Sequence, residues 1–261
     1  MIALIADAHI GGPGGNAGPL IDQLKALPSQ GCERLILMGD LFQAWIGSPH
    51  FETPDIAAVV AALRDLRRQG LLIDYVEGNR DFFLAGSPYA DAFDVVLEVA
   101  FEVGGTRYLA VHGDGLNDRD WQYRFWRKLS KSPPVRFAVF HIPHGLAHRM
   151  VHSTEQRLSR TNFKHKANVP EEAIRRYAER RLAEGHDVLI LGHFHEPHVW
   201  TVRGGEVRLM DAWFRSRRVE WLGKEAHPLS NVIGSLPDED AQEMRGIIEE
   251  EFERVDPEEW K

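Results

Sequence analysis

Five short apolar runs in this chain each end in residue types that bind metal. Residues 2–6 lead into Asp7 and His9, residues 35–38 into Gly39 and Asp40, and residues 71–76 into Gly78 and Asn79. Residues 108–111 give way to His112, and residues 188–191 to Gly192, His193 and His195. Carboxylate oxygens, imidazole nitrogens and one amide oxygen are the donors that Mn²⁺, Fe²⁺ or Zn²⁺ would choose. A carboxylate can bridge two such ions, and two metals about 3.5–4 Å apart can hold a hydroxide and clamp a phosphoryl oxygen. Any one of these histidines alone would more often be a hydrogen-bonded core residue than a ligand. Five strand ends finishing alike make a shared metal site the stronger reading.

The elements that must position these residues follow from the same pattern. Short aliphatic and β-branched runs bounded by glycine read as buried strands. Between them, Thr53 caps a helix with Pro54 at its first position, and Ile56, Val59, Val60, Leu63 and Leu66 keep helical spacing up to Gly70. Pro170 starts another, with Ile174, Tyr177 and Leu182 on one side and Gly185 at the end. Residues 198–210 fold around Gly204-Gly205 as a hairpin, and residues 215–222 read as a further strand. This alternation predicts an α/β sandwich on mixed sheets, with its site beyond the carboxyl ends of the strands. The glycine-rich stretch 11–18 contains a nominal GxGxxA at 12–17. It carries an internal proline and stands several residues after its strand, so it reads as a flexible loop beside the site. Trp213 reads as core.

Composition bounds the rest. With 43% hydrophobic and 27% charged residues in 261, the chain has enough apolar content to fold, and no run of 18 apolar residues exists to span a bilayer. Cys32 is the only cysteine, which suits a reducing compartment. The N-terminus lacks the basic and long apolar regions of a signal peptide, so the cytoplasm is the expected location. A net charge of −8 argues against a nucleic-acid polymer as partner.

In their order along about residues 1–215, Asp7-Ala8-His9, Gly39-Asp40, Gly78-Asn79-Arg80-Asp81, His112-Gly113-Asp114 and Gly192-His193-Phe194-His195 resemble the five motifs of the calcineurin-like metallophosphoesterases. The resemblance implies an αββα sandwich of mixed β-sheets. It also implies two divalent ions, with Mn²⁺ the expected species. One would be held by Asp7, His9, Asp40 and His195, the other by Asp40, Asn79, His112 and His193, with Asp40 bridging. Two divalent ions against two ligand carboxylates leave a charge of about +2 to meet phosphate oxygens in the transition state. Where many members have a histidine after the asparagine, this chain has Arg80. A guanidinium is no practical acid, but it can donate a fork of hydrogen bonds to a phosphate. Arg80, Asn79 and His112 are thus the residues expected to serve catalysis.

Segments 39–47, 78–83 and 112–123 resemble the branch of the family that cleaves the pyrophosphate of a UDP-linked, diacylated glucosamine in lipid A synthesis. Carried over by position, this implies substrate contacts at Arg80, Asp120, Tyr123 and His193, with Ser159, Asn162, Lys164 and Lys166 in the region of a later substrate pattern. Two other readings stay open. One is a soluble metallophosphoesterase acting on another nucleotide or phosphodiester; the other is a non-catalytic scaffold on the same fold.

Residues 119–166 interrupt the core (1–118 and 167–237) and read as a helical lid. They hold eleven Lys/Arg against two Asp/Glu. In a helix over 120–131, Arg124, Arg127, Lys128 and Lys131 share one face, and Trp121, Phe125 and Leu129 another, with Trp126 between. After Pro133-Pro134 the run Val135, Phe137, Val139, Phe140 and Ile142 is apolar nearly all round, up to Pro143. The lid is expected to hold acyl chains and to rest on the anionic inner leaflet, where each basic group is worth about 1 kcal/mol. The plainer alternative is a hairpin that packs its apolar face on the domain and solvates its charges. His144, His148 and His152 read as a solvated face. Residues 238–261, with three basic against eleven acidic groups, read as an acidic amphipathic helix.

Overall fold

The apolar runs that lead into the candidate ligands are strands, most fully buried in β1, β2 and β9. The computed structural model describes residues 1–12, 15–116, 121–142 and 169–223. Its first half comprises β1 (Ile2–Ile5), α1 (Ala17–Ala26), β2 (Arg34–Leu37), β3 (Trp45–Ile46), α2 (Pro54–Arg68), β4 (Leu72–Val76), β5 (Asp81–Phe82), β6 (Asp94–Val96), β7 (Glu98–Val103) and β8 (Thr106–Val111). Then come α3 (Trp121–Ser130), α4 (Pro133–Phe140), α5 (Glu171–Ala183), β9 (Val188–Leu191), β10 (His198–Val202), β11 (Gly205–Leu209), the one-turn helix α6 (Trp213–Ser216) and β12 (Glu220–Leu222).

Two five-stranded sheets run β12-β1-β2-β4-β6 and β10-β11-β9-β8-β7. In the first, only β12 is antiparallel to its neighbour. In the second, β11, β9 and β8 are parallel, with β10 and β7 antiparallel at the edges. Successive side chains serve opposite layers. Leu4, Ile36, Met38 and Val76 meet Val99, Phe101, Ala110 and Ile190 between the sheets. Ile5, Leu35, Leu37 and Tyr75 turn outward into the cluster of Leu20, Leu24, Val59 and Leu63 from α1 and α2. Leu109, Leu189 and Leu191 share a third cluster with Ile174 and Ala178 of α5. The result is the expected helix–sheet–sheet–helix sandwich, and a strand with no solvent face has no polar alternation to show.

Thr53 Oγ1 accepts from the Ile56 N–H at 3.2 Å with Pro54 at the first helical position, as expected. The hairpin turn at Arg203-Gly204 has φ of 50° and 81°. Two expectations need correction. The loop read over 11–18 already becomes α1 at Ala17, because Asn16 Oδ1 accepts from the Gly18 N–H at 2.9 Å and caps the helix. The strand read over 215–222 is reduced to Glu220–Leu222. Residues 213–216 coil into α6, which Arg217 ends in the left-handed conformation at φ 53°. Trp213 is buried, as expected.

Of the lid, α3 and α4 are described, α4 ending ahead of Pro143. The expectations for His144, His148, His152 and the 238–261 tail lie outside the described residues, as do Asp120, Ser159, Asn162, Lys164, Lys166 and the side chain of Tyr123. Among the described residues no helix is long and apolar enough to cross a membrane.

Candidate metal centre

Each candidate ligand follows a strand at a sharp turn. Of the eight non-glycine residues with positive φ among those described, five are Asp7 (52°), His9 (45°), Asp40 (51°), His193 (68°) and His195 (59°). That conformation is uncommon for side chains with a Cβ and persists where the surroundings over-determine it. The turns are bonded to one another. The Asp7 N–H donates to Gly39 O at 3.2 Å and the His9 N–H to Asp40 O at 3.1 Å, so the first two ligand loops form a pair.

The side chains converge on two clusters. Asp7, His9 and His195 offer donor atoms within 4.8 Å of one another, and so do Asp40, His112 and His193. In the first, the His193 N–H donates to Asp7 Oδ2 at 2.8 Å. Asp7 Oδ1 lies 3.1 Å from His195 Nε2 and 3.7 Å from His9 Nε2, and the two Nε2 atoms are 2.9 Å apart. Phe214 of α6 stands edge-on to both imidazoles, with centroids at 5.4 and 5.3 Å. In the second, His112 Nδ1 meets Met38 O at 2.6 Å, which fixes the tautomer by donation to that carbonyl. Its Nε2 then points at Asn79 Oδ1 (3.3 Å) and Asp40 Oδ1 (3.6 Å). Asn79 thereby joins the second cluster.

The donors fit divalent cations. Asp7, Asp40, His9, His112 and His195 are buried, and buried carboxylates gathered this closely are costly without positive charge between them. Asp40 Oδ2 is buried without a hydrogen-bond partner. Burial, reinforced by the charge of Asp7, pushes the Asp40 carboxyl above its ordinary value against the pull of His112 and Arg80. For Asp7, burial is outweighed by the hydrogen bond and charge of His195 and by the charges of His112 and His9, which hold its carboxyl well below the usual range. His112 is raised: burial opposes its charge, and the carboxylates of Asp40, Asp7 and Asp114 prevail.

Arg80 lies within this centre. Its N–H donates to Asp40 Oδ1 at 2.9 Å, its Nε is 3.4 Å from Asp40 Oδ2, and its Nη1 donates to Gln43 O at 3.1 Å and to Gln43 Oε1. Neither Gln43 nor Asp81 stands out by residue type or spacing, yet Asp81 Oδ2 accepts from the amides of Asp40 and Gly78.

Helix α3 and the residue after it direct Arg127 and Lys131 at the domain, while Lys128 is exposed. Arg127 Nε donates to Asp114 Oδ2 at 2.6 Å, next to His112-Gly113. Lys131 Nζ donates to Gly78 O at 2.8 Å and pairs with Glu77. Trp121 is 69% exposed, and Phe125 and Leu129 are exposed beside it. The alternative of an apolar face packed on the domain therefore does not hold for these three side chains. Gly115, Trp121, Phe125, Arg127, Lys128 and Lys131 line a recess of about 640 Å³.

The family model of the calcineurin-like phosphoesterases matches residues 1–197. The chain belongs to that family and is a metal-dependent hydrolase. A UDP-2,3-diacylglucosamine hydrolase from Pseudomonas fluorescens (strain SBW25) is 31% identical over 214 residues, covering 79% of this chain and 83% of that one. A protein of the same name from Chromobacterium violaceum is 32% identical over 202 residues, covering 70% and 83%. Among solved structures, the phosphopantetheinyl hydrolase of Mycobacterium tuberculosis superimposes with a TM-score of 0.44 at 16% identity, over 87% of this chain and 96% of that one.

Proposed function

We propose that this hydrolase cleaves the pyrophosphate bond of UDP-2,3-diacylglucosamine, giving UMP and 2,3-diacylglucosamine 1-phosphate, on the cytoplasmic face of the inner membrane. The observation that carries the reading is Arg80, buried with its Nε 3.4 Å from Asp40 Oδ2 of the second donor cluster. A guanidinium there suits a phosphate leaving group that needs no proton. The names of the relatives support this substrate.

One ion would be held by Asp7, His9, Asp40 and His195, and the other by Asp40, Asn79, His112 and His193, with Mn²⁺ the proposed species. Bound there, the ions would act as Lewis acids on the phosphoryl group and lower the pKa of water. Met38 O orients His112, the His193 amide orients Asp7, and Arg80 receives the equatorial phosphate oxygens. Asp120, Tyr123, Ser159, Asn162, Lys164, Lys166 and His193 complete the proposed substrate contacts. The lid (119–166) is proposed as the seat of the acyl chains and the contact with an anionic leaflet. The outward stripe of Trp121, Phe125 and Leu129 supports this, because large exposed apolar groups in a row mark an interaction surface. The proposed boundaries of the core remain 1–118 and 167–237.

The test is UMP release from UDP-2,3-diacylglucosamine by the purified chain with and without Mn²⁺. Metal-dependent release supports the reading. Hydrolysis of a generic phosphodiester with no UMP release would move the protein to another substrate.

A further inference from the structure

Gln43 sits where the loop after His9 meets the loop that carries Asn79 and Arg80. It is 3% exposed, and its N–H donates to Ile10 O at 2.9 Å. Both of its carbonyl oxygens, main-chain and side-chain, accept from Arg80 Nη1. Gly12 makes room for it: a Cβ there would lie 2.6 Å from Gln43 Nε2 and 2.7 Å from Cδ. Arg80 offers five N–H donors in a rigid plane. With Nη1 taken by Gln43, the Nε–Nη2 edge is the free fork, and its Nε faces Asp40 Oδ2 at 3.4 Å. That is the edge whose spacing matches two oxygens of a phosphate. Cations held by Asp40 would weaken its grip on Arg80 and repel the guanidinium, so the acceptors of Gln43 become its main restraint.

We propose that Gln43 is a positioning residue, which aims the Nε–Nη2 edge of Arg80 at the substrate phosphate, and that Gly12 preserves the space this requires. The inference rests on the reading of Arg80 given above.

The experiment compares Q43A, Q43E, R80A and Q43A/R80A in the full chain loaded with Mn²⁺. It records kcat and KM for UDP-2,3-diacylglucosamine, bound metal, and, in protein loaded with diamagnetic Mg²⁺ in place of Mn²⁺, the Arg80 Nε–H resonance, assigned by its loss in R80A. Q43A is expected to lower kcat about tenfold with metal content unchanged and to broaden or lose the Nε–H signal through faster exchange. Q43E, which keeps an acceptor oxygen, is expected to restore both. Q43A/R80A is expected to match R80A alone, because one residue acts through the other. If Q43A does not fold, Q43N shortens the side chain by one methylene and is read the same way. Turnover within about twofold of wild type in Q43A beside an impaired R80A would overturn the role of Gln43 alone. Full turnover in R80A would overturn the reading of Arg80 and this inference with it.

Discussion

The Asp40 N–H donates to Asp81 Oδ2 at 3.0 Å, and the same oxygen accepts from the Gly78 N–H at 2.8 Å. One buried carboxylate thus fastens the second ligand loop to the third. Burial, and after it the charge of Asp40, pushes the Asp81 carboxyl from 3.8 up to about 7. Between those values the metal-free folded protein keeps a proton that the unfolded chain has released, so stability falls as pH rises through the window. Asp81→Asn keeps an oxygen acceptor and removes the charge. In chelator at pH 8, D81N is expected to melt above wild type, by about 2–4 °C for each kcal/mol relieved. The gap should close below pH 4, where both states are protonated. Thermal melts across pH check this, and an offset that does not vary with pH would refute it.

The two donor clusters predict the effect of losing one member. Asp40→Ala removes the carboxylate whose Oδ2 lacks a hydrogen-bond partner, and His112→Ala removes a nitrogen aimed at Asp40 and Asn79. Either variant is expected to lose bound divalent metal and about a thousandfold or more in turnover, since metals held there would supply charge stabilisation. Metal analysis of the purified variants alongside UMP release measures both. Wild-type metal content in both variants would sink the assignment.

Most ligand-bearing strands were legible because burial on two faces leaves a nearly apolar run that stops within a few residues of a ligand; β4 is broken by Asp74. Strand β7 gives a weaker signal: Val99 and Phe101 are buried while Glu98, Ala100 and Glu102 are exposed, as befits the edge of a sheet. The left-handed turns at Asp7, His9 and Asp40 have no signature in residue type, since glycine would ordinarily mark them. Helix α6 was misread because its four residues are too few for a period. Contacts such as Gln43 with Arg80, or Lys131 with Gly78, join residues 37 or 53 positions apart, and spacing along the chain carries no trace of them.

The bonds that Arg127 and Lys131 make to the domain predict two separable effects. Trp121→Ala with Phe125→Ala removes exposed apolar surface and leaves the bonds of Arg127 and Lys131 intact. Burial of a large apolar side chain is worth about 1.5–3 kcal/mol, so binding to anionic vesicles should fall about tenfold or more. Turnover of the acylated substrate should fall with it, while hydrolysis of a soluble phosphodiester stays unchanged. Vesicle co-sedimentation and parallel assays on the two substrates measure this. Equal loss on both substrates would mean that α3 serves the metal centre and not the lipid.

Two glycines separate the needs of the site from those of the fold. A Cβ at Gly78 would lie 2.3 Å from Asp40 Oδ1 and 3.0 Å from the Asp40 nitrogen. Gly78→Ala must therefore displace the carboxylate that the second cluster depends on. Gly70, at the end of α2, has φ +94° and nothing within 4 Å of its would-be Cβ. Alanine there is strained without touching anything, at a cost of about 1–2 kcal/mol in stability. Gly78→Ala is accordingly expected to weaken Mn²⁺ binding to the metal-free protein at least tenfold, because misplaced donors lose affinity. Gly70→Ala should lower the melting temperature by a few degrees and leave Mn²⁺ affinity and turnover at wild-type values. Calorimetric titration with Mn²⁺ and a thermal melt of each variant check the pair. If Gly78→Ala binds Mn²⁺ as wild type does, close backbone approach at Gly78 is not what seats Asp40.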